Sequence, residues 1–430
     1  MPVFSNPADA MILLKNLMLH DRPVHILVDG DRIARISPEP LCIDGAQELD
    51  FSGKAVIPGF VNMHTHAAMI LLRGIHEDLA LYDWLNNIWR IEAGLDRDFI
   101  YWGTKVACLE MIRSGTTTFN DQYWYCPHTR RAALEMGLRP VVSFIFLDSH
   151  DPELARRQRE ACQRLYERTQ SEWGDDGLFA ISIHSVYTVS EENIVWANRF
   201  ALEHGLRVHL HLAETAQEDS DCRKTHNGLS PTAYFERLGI LGPHVIAAHS
   251  LYLDDDDIYT LGKREVNCVH NINSNLKLAS GFRFRYNELR DAGANVCIGT
   301  DGAASSNNLD MLEHMKNTAL LQKAWRRNPA EMPLRELFDC ATVHGAKALG
   351  LDTGVIREGA LADLSLVDIS GTAFLSPGSV AANLVYAAHS DVISDVMVGG
   401  KWVMRNRQIP GEQEILSAAR QVLNQINHIQ

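Results

Sequence analysis

The feature that most constrains this chain is an alternation that recurs eight times: a short apolar run, then a longer stretch. The runs are Val56–His64, Thr116–Asp121, Pro140–Phe146, Phe179–Ser185, Arg207–Glu214, Val245–Ser250, Val266–Asn271 and Asn295–Asp301. Between them, Asp98–Arg113, Pro152–Arg168, Glu191–His204 and Ala233–Leu238 carry apolar residues at helical spacing. Continuous apolar runs of this length suit strands buried on both faces, and intervening helices make such strands parallel. Eight repeats predict an α/β fold, a (β/α)₈ TIM-type barrel, for which about 250 residues is usual. Residues 57–356 of the 430-residue chain have room for it.

Residues 1–56 and 357–430 read differently. Short runs at Met11–Leu14, His25–Val28 and Arg32–Ile36 are matched by Asp363–Val367, Val392–Val398 and Lys401–Met404, with Asp29-Gly30 and Gly399-Gly400 as hairpin turns. They predict one small β-sandwich domain built from both termini, and Glu412–Ile426 reads as a helix capping the outside. A net charge of −14 argues against a nucleic-acid backbone or an anionic membrane as partner. No apolar run reaches the roughly 18–20 residues of a membrane span. The stretch Met1–Leu19, with Asp9 and Lys15, lacks the layout of a secretory signal. Eight scattered cysteines without a CxxC pair fit a reducing compartment, so a cytoplasmic protein is expected.

Chemistry concentrates where the runs end. Asn62-Met63-His64-Thr65-His66 closes the first; strand side chains alternate, so His64 and His66 point together into the barrel mouth and can share one divalent cation. His211 and Glu214 close the fifth run, His249 the sixth and Asp301 the eighth. Barrel enzymes carry their chemistry at this end of their strands, and buried charges there are costly unless paired or metal-bound. Taken singly, His249 reads as a satisfied core histidine and Asp301 as a helix cap. Taken together, these residues predict a metal site. His209 reads as a hydrogen-bonded interior residue, and His76, His128, His150, His226 and His314 as surface residues.

The segments Pro58-Gly59-Phe60-Val61-Asn62-Met63-His64-Thr65-His66, Leu71-Leu72-Arg73-Gly74, His211-Leu212-Ala213-Glu214, Asn273-Ser274-Asn275-Leu276-Lys277-Leu278 and Gly299-Thr300-Asp301-Gly302-Ala303-Ala304-Ser305 together resemble the amidohydrolase superfamily. The likeness is strongest to its branch of 5′-methylthioadenosine/S-adenosylhomocysteine deaminases and chlorotriazine hydrolases, and runs over nearly the whole chain. It implies His64, His66, His211 and Asp301 as ligands of zinc, or of iron as the second choice, with Glu214, His249 and Asp301 catalytic. The fourth run ends at His184, with no lysine where binuclear members carry a carboxylated one, so one metal per subunit is expected. The implied reaction is attack of activated water on the amine-bearing carbon of a ring. Glu214 would protonate the adjacent ring nitrogen, while His249 and Asp301 pass the water's proton to departing ammonia.

The resemblance further implies a purine nucleoside as small-molecule partner. Glu92 would hold the ribose hydroxyls, His184 a purine nitrogen and Arg156 a carboxylate on the 5′ group. Read without the resemblance, Glu92 is a surface helix charge and His184 a strand-end residue. Trp89, Met69 and Leu72 wall an aromatic pocket or pack in the core. The chain departs from the branch at Phe144, where members that take homocysteine-bearing substrates have an arginine, and at Val186 and Ala68, where prolines are usual. Arg157 and Arg159 leave the register of Arg156 open. With one anion clamp missing, methylthioadenosine or adenosine is favoured over S-adenosylhomocysteine. Two alternatives stay open: a hydrolase of another ring (a guanine-like base, a pterin or a triazine) and a non-catalytic scaffold. A cytidine-deaminase fold lacks its HxE and PCxxC signature here. Barrels of this branch often form homo-oligomers.

Overall fold

A computed structural model describes residues 11–174 and 178–426; the outermost parts of both expected terminal segments lie outside the described residues. The chain opens with β1 (Ile12–Leu19), β2 (Arg22–Asp29), β3 (Arg32–Ser37), β4 (Gln47–Asp50) and β5 (Lys54–Pro58). Eight strands follow: β6 (Phe60–Thr65), β7 (Thr116–Asp121), β8 (Arg139–Phe146), β9 (Phe179–Ile183), β10 (Arg207–Leu212), β11 (Val245–His249), β12 (Asn267–His270) and β13 (Asn295–Ile298). Each is parallel to the next in sequence, which gives the barrel. β6, β7, β9 and β11 are buried along their whole length, since one face fills the barrel and the other meets the helices.

The seam between β13 and β6 is closed by residues at their C-terminal ends. Asp301 N–H donates to the His64 carbonyl at 2.9 Å, Thr300 N–H to Asn62 Oδ1 at 3.0 Å, and Asn62 Nδ2 back to Thr300 Oγ1 at 2.7 Å. Barrel closure and the placing of Asp301 are thus one set of contacts. Around the barrel, the helices Arg97–Arg113, Pro152–Glu172, Glu191–Glu203 and Met311–Arg326 open on the capping side chains of Asp96, Asp151, Ser190 and Asp310.

The first apolar run, expected as one strand, is two. Lys54–Pro58 pairs antiparallel with β14 (Leu364–Asp368) in the small sheet, and the barrel strand starts at Phe60. Periodicity is silent here because both halves are apolar and buried. Gly59 makes the crossing: a Cβ there would lie 2.2 Å from Thr117 Cγ2. The small sheet therefore takes in Lys54–Pro58 whole. It also contains β15 (Ile393–Val398) and β16 (Lys401–Met404). Its hydrogen bonding runs through β16-β15-β14-β5-β1-β2-β3, with β4 also on β1, a mixed sheet of eight strands. Ile26, Leu364 and Trp402 pack in its own core. The last helix, Glu412–Ile426, lies outside the barrel on Arg97–Arg113, with Arg113 and Glu412 paired at 2.6 Å. Among the described residues no helix is long and apolar enough to cross a membrane.

Candidate active site

The strand ends converge at one point. The ring centre of His64 lies 4.8 Å from that of His66, 5.0 Å from His211 and 5.5 Å from His249. Asp301 Oδ1 sits 3.3 Å from His64 Nε2 and 3.2 Å from His66 Nε2. Ligand atoms of His64, His66 and Asp301, and of His64, His211 and His249, fall within 4.8 Å of one another.

Five of the strands end sooner than the apolar runs suggested. β10 stops at Leu212 and β13 at Ile298, so Glu214 and Asp301 sit in the turns beyond them. Ala213, His249 and Asp301 all adopt left-handed backbone, with φ of 48°, 73° and 63°. For non-glycine residues this costs about 1–3 kcal/mol each and persists only where the surroundings enforce it. They do so here. The buried Glu218 carboxylate accepts the N–H groups of Ala213 (2.9 Å) and Glu214 (2.7 Å), while Ser250 N–H donates to the Leu212 carbonyl at 2.8 Å. At Gly299 a Cβ would lie 2.7 Å from the His64 amide nitrogen, so only glycine lets the eighth strand end approach the first.

The donor set fits one divalent cation. Each imidazole is gripped at Nδ1: His64 by His209 Nε2 (2.8 Å), His66 by the Gln122 carbonyl (2.5 Å) and His211 by the His184 carbonyl (2.7 Å). That leaves Nε2 as the free ring nitrogen and fixes the ring plane, the arrangement metal-ligating histidines require. His64 Nε2 is fully buried and meets no hydrogen-bond geometry, only Asp301 Oδ1. A buried lone pair so placed is costly unless a cation accepts it. Imidazole nitrogens with one carboxylate suit zinc and iron. Burial keeps His211 far below the usual imidazole range. Burial opposes a charge on His66 as well, but Asp301 outweighs it and raises the ring to about 8. The proton drawn there is one that a cation displaces.

His249 lies on the open side of this cradle. Its Nε2 is 3.5 Å from Glu214 Oε2 and 4.0 Å from Asp301 Oδ2, and the Asn275 carboxamide holds its Nδ1 at 2.8 Å. Glu214 is only 6% exposed. Burial first, then the charges of Asp301 and Glu218, push its carboxyl well above the ordinary range. The shift favours its protonated form, the one that can give up a proton.

These groups open into a cavity lined on one side by the helix Leu81–Glu92. Trp84, Ile88 and Trp89 of that helix supply an apolar wall, and Met69 lines the floor, whereas Leu72 packs in the core. Glu92 and His184 both reach the cavity. Tyr123 Oη donates to Glu92 Oε1 at 2.5 Å, and His184 Nδ1 lies 2.8 Å from Thr188 Oγ1.

Arg156 is not brought to the site. It stands exposed on the helix Pro152–Glu172, its guanidinium shared between Glu153 at 2.7 Å and Glu160, partners that helical spacing puts within reach. The third-strand side chains that face the cavity are Ile145 and Leu147. Phe144 points the other way, against Phe146 and the surrounding core. His314, expected at the surface, is fully buried because its helix turns that face inward.

His209 is the interior residue expected, and it also orients the His64 ring. His209→Phe is expected to weaken metal binding by about 10–100-fold, the usual effect of losing such a partner. Competition with a chelator measures it, and unchanged affinity would show that His64 is oriented without it. Sequence reasoning passed over Gln122, Tyr123, Trp124 and Glu218, and gave Asn275 no role of its own. The first three directly follow β7, so their strand-end position was a usable signal; nothing local announced the carboxylate clamp of Glu218.

The chain's similarity to known proteins agrees with this geometry. Over 428 residues it is 41% identical to a 5′-deoxyadenosine deaminase of Methanoregula boonei, covering 97% of this chain and 95% of that one. It is 43% identical over 412 residues to 5-methylthioadenosine/S-adenosylhomocysteine deaminase 1 of Archaeoglobus fulgidus, covering 94% and 96% of the two chains. A zinc-bound adenosine deaminase from Xanthomonas campestris superposes with a TM-score of 0.89 at 32% identity, covering 98% of this chain and 99% of that one. Residues 55–403 match the sequence pattern of the amidohydrolase family, and with a barrel whose strand ends carry this histidine–aspartate cradle, the chain belongs to that family.

Proposed function

We propose that the protein is a metal-dependent aminohydrolase that converts an adenosine-type nucleoside to its inosine analogue and ammonia. The observation that carries the reading is Glu214: a buried carboxyl, pushed well above the ordinary range, beside a metal cradle in a cavity that Glu92 also lines. His64, His66, His211 and Asp301 are the proposed ligands of one metal. Zinc is favoured by the donor set and by the zinc-bound adenosine deaminase. Such a metal, when bound, brings water's pKa towards neutrality.

The remaining work falls to the side chains. Glu214 protonates the ring nitrogen beside the amine-bearing carbon, so that addition of water does not leave charge on the ring. His249 and Asp301 take the water's proton and hand it to the leaving amine. His184 bonds a purine nitrogen, and Glu92, steadied by Tyr123, accepts from the ribose hydroxyls. A cytoplasmic, reducing setting suits a chain whose eight cysteines are all unpaired, seven of them buried.

Ammonia release across adenosine-type nucleosides, guanine, pterins and triazines tests this reading. Turnover confined to pterins or triazines would replace it with the alternative hydrolase, and a pure protein lacking stoichiometric metal would favour a scaffold. Glu92→Gln is expected to lower kcat/KM for adenosine by about 10–100-fold, the worth of hydrogen bonds to a charged acceptor. Free adenine, which has no ribose, should be turned over with unchanged efficiency. An equal loss on both substrates would take Glu92 out of ribose binding.

A further inference from the structure

The Glu214 side chain has weak holds of its own, Ser280 Oγ at 3.4 Å and His249 Nε2 at 3.5 Å. Its backbone is held much harder, by a second carboxyl four residues on. Thr215 caps the helix Ala216–Thr225, and its Oγ1 accepts the Glu218 N–H at 3.0 Å. A glutamate at that third helical position ordinarily turns back to the N–H of the cap residue. Glu218 extends further: one oxygen accepts the N–H of Ala213 and the other the N–H of Glu214. The peptide planes on both sides of the left-handed Ala213 are thereby fixed together.

This arrangement is costly to keep. Glu218 is 3% exposed, and its partners are backbone N–H groups rather than a lysine or arginine. Burial raises its carboxyl to about 7, against the pull of those N–H groups. Tyr82 of the helix Leu81–Glu92, Tyr187 after β9, Glu214 and Asp219 are near it, and none supplies positive charge. A glutamine could not replace it, because an amide offers one acceptor oxygen and would turn its NH₂ towards a backbone N–H. We infer that Glu218 is a positioning residue of the reaction, which fixes the backbone from which Glu214 meets the substrate and so aims the proton donor. Glu218 does not line the cavity, so it acts through Glu214. The inference rests on the proton-donor role proposed for Glu214.

The test is kcat and KM for adenosine in the metal-loaded variants Glu218→Gln and Glu218→Asp. The first removes one acceptor oxygen; the second keeps the charge and shortens the reach by a methylene. Both are expected to lower kcat by about 10–100-fold, the cost of roughly 1 Å of misplacement. KM should stay within about threefold of wild type, with one metal per chain, because the lost contact serves the transition state alone. In a Glu214→Gln background the proton donor is already gone, so adding Glu218→Gln should lower kcat by less than about threefold more. A fully multiplied loss in that double variant marks a general structural role and overturns the inference. So does loss of folding or of metal in both single variants. Wild-type kcat in Glu218→Asp would mean that charge rather than placement is what Glu218 supplies, which overturns it as well. Near-wild-type kcat in Glu214→Gln removes the proton-donor reading itself, whereas an unaffected Glu218→Gln beside a crippled Glu214→Gln overturns the clamp alone.

Discussion

Glu214→Gln is expected to lower kcat by about 10²–10⁴-fold while the protein keeps one metal per chain, because general acid catalysis by one group typically contributes that much. Glutamine keeps the shape of the side chain and its contact with Ser280, at 3.4 Å in the wild type, but has no acidic proton. The proton matters because water adding to an aromatic ring puts charge on the neighbouring ring nitrogen. Burial has already raised the Glu214 carboxyl well above its ordinary range, which favours the form that carries that proton. Elemental analysis together with steady-state ammonia release checks both halves. A variant with near-wild-type kcat removes Glu214 from the mechanism.

Asp301→Ala is expected to do more: metal content should fall to a small fraction of one per chain, and turnover should drop further than in Glu214→Gln. Asp301 is the carboxylate touching both His64 and His66, so its loss leaves only neutral donors around the cation. It also removes a carrier of the water's proton. The backbone of Asp301 closes the barrel seam whatever its side chain, so the fold should persist. Thermal unfolding with and without a chelator separates the two effects. Wild type should lose stability on chelation, about 4 kcal/mol if metal stands at a thousand times its dissociation constant, and the variant should not respond. A variant that retains stoichiometric metal would move Asp301 out of the ligand set.

Chemistry and strain coincide at this site. Ala213, His249 and Asp301 are all left-handed, and each lies at or just past the end of a barrel strand. An extended residue in those positions would carry the next side chain along the strand direction. The turn instead swings Glu214 and Asp301 back over the barrel mouth. Glu218 holds one of these turns, and the backbone bond from Asp301 to His64 holds another.

The barrel and the convergence of His64, His66, His211 and Asp301 at its mouth were legible in the sequence because both rest on local regularities. A strand buried on both faces needs an unbroken apolar run, and alternation along a strand puts His64 and His66 on one side. What the sequence could not decide depends on neighbours far apart along the chain. His64 is oriented by His209, 145 residues away, and His66 and His211 by backbone carbonyls that have no signature in residue type. The split at Gly59, the inward turn of Ile145 rather than Phe144, and the capture of Arg156 by its own helix were likewise tertiary decisions. Residue type at a strand end identifies which atoms can bind a cation. Only packing in three dimensions fixes which way those atoms point, how far burial shifts their protons, and what surface the substrate meets on its way in.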